Sequence, residues 1–241
     1  MDLNPSKCHS ISFSKKRAPI TFAYVIADTT LTHVSTSKDL GVLMDSTLSF
    51  RAHINEVVSR GLKMLGFVKR CTKDFTSLSA IRLLYCTLIR PLLEYASSVW
   101  NPIYACHIHS LEQVQRKFLR YMAFKAGIHP IEGYRYDYSI LYERFSLAPL
   151  KVRREHRDLK NLYNIYHSTF FCPDLLQSIG ILVPSRNTRS HQLFLQPFCR
   201  TNVRYNTFTS RSVRLANNLS PYIDFSVNKK NFVRFIRDFH V

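Results

Sequence analysis

The chain has 241 residues, 46% of them hydrophobic and 13% aromatic, enough apolar surface for one sizeable core or two small ones, so it should fold. Lys and Arg number 34 against 16 Asp and Glu, and a formal charge of +18 repels itself unless a polyanion or an anionic surface neutralises it. Nucleic acid is the partner this favours, although charge alone leaves acidic lipid and acidic protein open.

The first residues, MDLNPSKCHSISFSKK, are polar and charged where a secretory signal needs an apolar run. This argues against export and for an intracellular protein of the nucleus or cytoplasm. Residues 95–111 carry no charge, but Asn101, Pro102, His107 and His109 interrupt them and the stretch is too short to span a membrane. Six cysteines (Cys8, Cys71, Cys86, Cys106, Cys172, Cys199) stand singly, a pattern of reduced thiols rather than a disulfide framework, with Cys86 and Cys106 expected in helices.

In chain order, strand signals are confined to residues 8–44. Ile11 and Phe13 alternate with serines, TFAYVIA follows and LGVLM comes after a polar stretch, which predicts three or four antiparallel strands. From Phe50 the period changes: Ile54, Val57, Val58, Leu62, Leu65 and Val68 share one helical face, and Arg51, Arg60, Lys63, Lys69 and Arg70 fall mostly off it. A second helix should open at Ser77 or Ser79 and run through Ile81, Leu84, Tyr85 and Leu88 towards Pro91, which ends or kinks it. A third, over residues 105–125, buries Ile108, Leu111, Val114, Phe118, Leu119 and Met122 and carries Arg116, Lys117, Arg120 and Lys125.

Shorter helices fit residues 139–145 and 150–168, the latter opening on Lys151, Arg153, Arg154 and Arg157. Pro173, Pro184 and Pro197 punctuate a stretch from 170 to 205 with little periodicity, and a last helix covers residues 228–239. No internal repeat or low-complexity run appears. The expected fold is mainly α: a small antiparallel β hairpin or sheet at the N-terminus (1–48), a helical bundle (49–128) and a less regular C-terminal helical region (129–241).

Two-metal polymerase chemistry needs clustered carboxylates, and no two acidic residues are adjacent anywhere in the chain. The isolated acids Asp28, Asp45, Asp74, Glu94 and Glu112 read as surface charges or helix caps rather than metal ligands. Cys106-His107-x-His109 is the nearest approach to a zinc site, but it has no second half. No GxSxG elbow or phosphate-cradling glycine loop occurs. What does recur is cation beside ring: Arg116 to Tyr121, Arg135 with Tyr134 and Tyr136, Arg204 with Tyr205, and Arg234 to Phe239. Such interleaving suits phosphate pairing and base stacking, while core rings with solvated arginines remain the plain alternative for any one pair.

Three blocks of sequence then carry a resemblance. KDLGVLMDSTLSFRAHINEVVSRGLKMLGFVKR, then LLYCTLIRPLLEYASSVWNPIY, then LEQVQRKFLRY are similar to the segment that follows the catalytic strand in reverse transcriptases of jockey-type non-LTR retrotransposons. LAPLKVRR, RTNVRY and SRSVRLANNLSP resemble the tail of the same proteins, so the likeness covers residues 2–239.

The resemblance implies the end of the palm, the thumb and the region beyond it. Asp39, Leu40 and Gly41 would form the primer grip, against an ordinary tight turn; Lys7 would approach the phosphates of the incoming nucleotide, against a surface lysine in a turn opening at Asn4-Pro5. Arg51, Arg60, Lys63, Lys69 and Arg70, then Arg116, Lys117 and Arg120, would contact an RNA–DNA or RNA template-primer through its backbone. Trp100 and Tyr95 would pack the bundle.

Fingers, most of the palm, the Asp-Asp strand and the endonuclease would all precede Met1, so a remnant or truncated gene model is implied. No catalysis, small-molecule substrate or cofactor is expected of this chain alone, Mg2+ belonging to the intact family enzyme. The alternative is a domesticated basic helical module that meets an acidic protein or a membrane surface.

Overall fold

Short strands come first in the chain. In this computed structural model, which describes residues 4–17, 20, 22–130, 136–182, 192–219 and 224–238, a 3-10 turn at Pro5–Lys7 precedes β1 (His9–Ser10), β2 (Val25–Ile26), β3 (Thr29–Thr30), β4 (Thr32–His33), β5 (Thr36–Asp39) and β6 (Val42–Asp45). The pairs β2–β3 and β5–β6 are antiparallel, as the alternation suggested. The pair β1–β4 is parallel, which corrects the expectation of antiparallel strands throughout. Ile11, Phe13, Phe22 and Tyr24 lie outside the ladders, because the ladders are two to four residues long and local turns set them.

Helix α1 (Arg51–Cys71) starts where the period changes and buries Ile54, Val57, Leu65 and Val68. Asp45 fixes its approach: one carboxylate accepts from the backbone N–H groups of Thr47, Ser49 and Phe50 and from the hydroxyls of Thr47 and Ser49. Helix α2 (Leu78–Leu84) takes Ser77 as its N-cap, whose hydroxyl accepts from the Ala80 N–H at 3.4 Å. It does not end before Pro91. A π-turn over Tyr85–Ile89 carries it into α3 (Arg90–Glu94), with the Arg90 N–H bonded to the Tyr85 carbonyl five residues back. Pro91 has no N–H to give the preceding turn, and the wider turn accommodates its ring. The Thr87 hydroxyl donates to the Leu83 carbonyl at 2.9 Å.

After α4 (Ser97–Trp100), α5 (Ala105–Lys125) packs along α1. Gly61 makes that approach possible, since a Cβ there would stand 2.9 Å from Leu93 and 3.4 Å from Val114. The first core gathers Val42, Ile54, Trp100, Phe118 and Leu150 with their neighbours. Within it Tyr85 stacks on Phe118 at 4.2 Å and donates its hydroxyl to Gln115 at 2.6 Å.

Helices α6 (Tyr138–Arg144) and α7 (Leu150–Tyr166) follow, then α8 (Pro173–Gln177), α9 (Asn202–Tyr205), α10 (Phe208–Leu219) and α11 (Lys229–Asp238). A second core joins Leu159, Leu162 and Tyr163 of α7 to Val213, Ala216, Phe225, Phe232 and Ile236. Helix α7 thus belongs to both cores. The chain is 56% helical with small pairings at its N-terminal end, a mainly α fold.

Candidate nucleic-acid interface

The sharpest local feature is the β5–β6 hairpin, whose two-residue turn is Leu40–Gly41. Both residues have positive φ, 44° and 84°, the mirror-image turn whose twist matches the strands it joins. Glycine adopts it freely, whereas leucine is strained there. The strain is held from outside: the Tyr95 hydroxyl donates to the Leu40 carbonyl at 2.9 Å, and the Tyr95 ring passes 3.6 Å from where a Cβ on Gly41 would be. Leu40 itself is 83% exposed at the tip.

The rest of the hairpin lies on the first half of α1. His53 Nδ1 accepts from the Leu43 N–H at 3.2 Å, and Lys38 pairs with Glu56 at 3.2 Å. Burial, more than the neighbouring Lys38 and Arg60 charges, holds the His53 imidazole below its usual range despite nearby Glu56. The neutral ring that results keeps a lone pair for the Leu43 N–H and packs edge-on against Trp100. Asp39 ends β5 directly before this tip. Lys7 lies exposed in the Pro5–Lys7 turn, two residues before His9, whose Nε2 reaches the Ser37 hydroxyl of β5 at 2.6 Å.

The cations singled out from the sequence separate into groups. Arg60, Lys63 and Arg70 recur on α1 at the four- and three-residue spacings that align side chains, continue the row opened by Glu56, and are all exposed. The row runs about 15 Å from Arg60 to Arg70 at 1.5 Å per residue. It leaves the hairpin where Lys38 meets Glu56 and Arg60 approaches the same carboxylate at 4.0 Å. Lys69 lies on another flank, its ammonium 5.5 Å above the Tyr121 ring, with Lys117 and Arg120 of α5 bearing on it. Burial first, then those like charges, lowers its pKa.

Arg51 stands at the opposite end of α1, in an open polar depression with Ser35, Asp45 and Ser49. Arg116 is half-buried with its guanidinium 4.8 Å over the Tyr138 ring, so it faces α6 rather than open solvent.

Several readings are corrected. Glu94 and Glu112 are not surface charges: they are 4% and 7% exposed. Glu94 accepts from Arg153 and Arg157, and Glu112 accepts from the Tyr142 hydroxyl and, at 3.0 Å, from the Leu150 N–H that opens α7. Partners brought from about forty to sixty residues away make burial of these acids tolerable. Tyr95 does not pack the bundle interior but stands 57% exposed against the hairpin, while Trp100 is fully buried. Tyr121 lies under Lys69 rather than Arg116, and Tyr205 under Arg214 at 3.7 Å rather than Arg204. Arg135, Tyr134 and Phe239 lie outside the described residues.

All six cysteines are free thiols. Among the described residues no three His, Cys, Asp or Glu side chains gather as a metal-binding group, and no helix is long and apolar enough to cross a membrane. His109 instead meets Gln113 at 2.8 Å. No family model, curated protein or solved structure matches the chain.

Tyr95 is the contributor that sequence reasoning missed. Its partner is 55 residues away, and only its place in EYAS, one residue after a buried glutamate, marks it.

Proposed function

We propose that this chain is the rear part of a non-LTR retrotransposon reverse transcriptase, a palm-edge hairpin and thumb that grip a primer-template duplex by its phosphates without performing synthesis. One observation carries the reading: the cationic row Arg60–Lys63–Arg70 starts beside a docked hairpin with a glycine at its tip. Phosphates of one strand recur at about 3.4 Å along the duplex axis, so a row about 15 Å long spans roughly four of them. The backbone of Asp39, Leu40 and Gly41 would then steady the primer end, with Lys7 on the nucleotide side and Lys69, Lys117 and Arg120 on the flank.

Binding of this kind is independent of base sequence and weakens with salt. Adjacent acids are absent from the sequence, so magnesium-dependent transfer is not assigned to this chain. The test is binding of a labelled RNA–DNA hybrid by the wild-type chain and by an Arg60→Gln, Lys63→Gln, Arg70→Gln variant, together with a nucleotide-incorporation assay. The triple variant should lose about tenfold or more in affinity at low salt, and incorporation should stay at background. Unchanged affinity, or robust incorporation by the purified chain, overturns the reading. A hybrid that fails to displace an acidic polypeptide from the same face would favour an acidic-protein module instead.

A further inference from the structure

A second cationic row leaves the same hairpin tip along a different helix. Glu94, the residue before Tyr95, is a buried carboxylate shared by two arginines of α7, with Arg153 Nη2 at 3.1 Å and Arg157 Nη2 at 3.0 Å. Arg157 also donates to the Glu94 carbonyl. One carboxylate between two guanidiniums leaves a positive charge over, and the side chains remain 30% and 37% exposed. Arg153, Arg157 and Lys160 recur at four- and three-residue spacing, so they form one row on α7.

Helix α11 extends it. Its apolar residues Phe232 and Ile236 are buried, the Phe232 ring 4.4 Å from that of Tyr163 in α7, which locks the two helices together. Lys230, Arg234 and Arg237, again at four- and three-residue spacing, are exposed. Arg237, Arg153 and Arg157 all bear on the half-buried Lys160, with Glu94 the acid among the groups acting on it. Arg234 has only a 4.0 Å approach to Asp238, both side chains mostly in solvent.

We propose that the α7–α11 face, Arg153, Arg157, Lys160, Lys230, Arg234 and Arg237, is a second phosphate-binding surface for the same nucleic-acid duplex. It rests on the reading of the hairpin and α1 as a duplex grip, and adds a contact on the far side of the tip. Packing has gathered like charges there without matching acids, an arrangement that an external polyanion relieves. Arginine supplies four of the six cations, and its planar fork fits phosphate oxygens in pairs. Glu94 holds two of those forks in place before any ligand arrives, so less ordering accompanies binding.

The full chain, labelled RNA–DNA hybrid and a salt series test it. A Lys160→Gln, Arg237→Gln variant should bind about tenfold more weakly at low salt and flatten the plot of log affinity against log salt by about 1 to 2, at about 0.9 per phosphate released. A Lys230→Gln, Arg234→Gln variant, altered only at exposed positions, should shift in the same direction and carries the test if the first loses its helical circular dichroism. Wild-type affinity and slope in both α7–α11 variants overturn the inference, while loss in the α1 triple variant keeps the grip. Loss in the α7–α11 variants with an unaffected α1 variant sustains the second surface and removes the first. Impaired binding of polyglutamate with normal hybrid binding also overturns it, assigning the face to an acidic protein.

Discussion

His53 shows how one side chain ties the hairpin to the bundle. Its neutral Nδ1 accepts the Leu43 N–H, and its folded pKa lies below the usual 6.5. The unfolded chain therefore binds the proton more readily, so this contribution to stability is complete above pH 6.5 and is lost as pH falls through that value towards the folded one. Thermal unfolding followed from pH 7.5 down to 5.5 should show falling stability, with a smaller fall in a His53→Gln variant; equal falls would remove His53 as the cause. Asp45 behaves in the same sense at lower pH. Burial alone would raise it, but the hydrogen bonds from Thr47, Ser49 and Phe50 outweigh burial and hold it at about 2, so its contribution is kept above about 3.8 and lost through about 2. At the tip, Tyr95→Phe removes the hydroxyl that holds Leu40. It should cost about 0.5–1.5 kcal/mol in a denaturant titration and weaken hybrid binding with an unchanged salt slope, since no phosphate contact is lost.

Helices illustrate which physics is visible in sequence. Those at α1, α5, α7 and α11 are legible because large apolar residues recur at helical spacing in each, and the tip at Leu40–Gly41 is legible because glycine follows a β-rich run. Helix α10 is not: Val213, Ala216 and Leu219 stand among Ser, Arg and Asn, and its place comes from Arg211 clamping Asp158 at 2.7 Å and Asn217 bonding both backbone groups of Phe194. The parallel β1–β4 pair is invisible for the same reason, its partners being distant in sequence. Of the candidate cations, exposure of Arg60, Lys63 and Arg70 follows from periodicity, whereas Arg116 turns inward because Tyr138 lies on a helix that sequence spacing cannot place beside it.

The same non-local physics makes Glu94 the strongest single anchor of α7. Glu94→Ala leaves Arg153 and Arg157 facing a buried gap and should cost about 3–5 kcal/mol. Lys151→Ala, which touches only the exposed 3.9 Å pair with Glu155, should change stability by less than about 0.5 kcal/mol. Chemical denaturation of the two variants compares them directly, and a cost for Glu94→Ala no larger than that for Lys151→Ala would remove Glu94 as an anchor.

At the scale of the whole molecule, charge and apolar area are arranged differently. The apolar residues form two cores joined through α7, and the cations named above lie around them, some neutralised internally and others left in rows. Because internal pairs take up Arg153, Arg157 and Arg211 in part, duplex affinity should respond to far fewer than the 34 basic residues, and the salt slope counts those that act. Helix α7 gives the last consequence. Its 17 residues begin in one core at Leu150 and end in the other at Ile165, so neither core can melt without dismantling a wall of its neighbour. Amide exchange in α5 and in α10 should therefore lose protection at one common denaturant concentration, whereas separate midpoints would mean that the rod is continuous in shape but not in cooperativity.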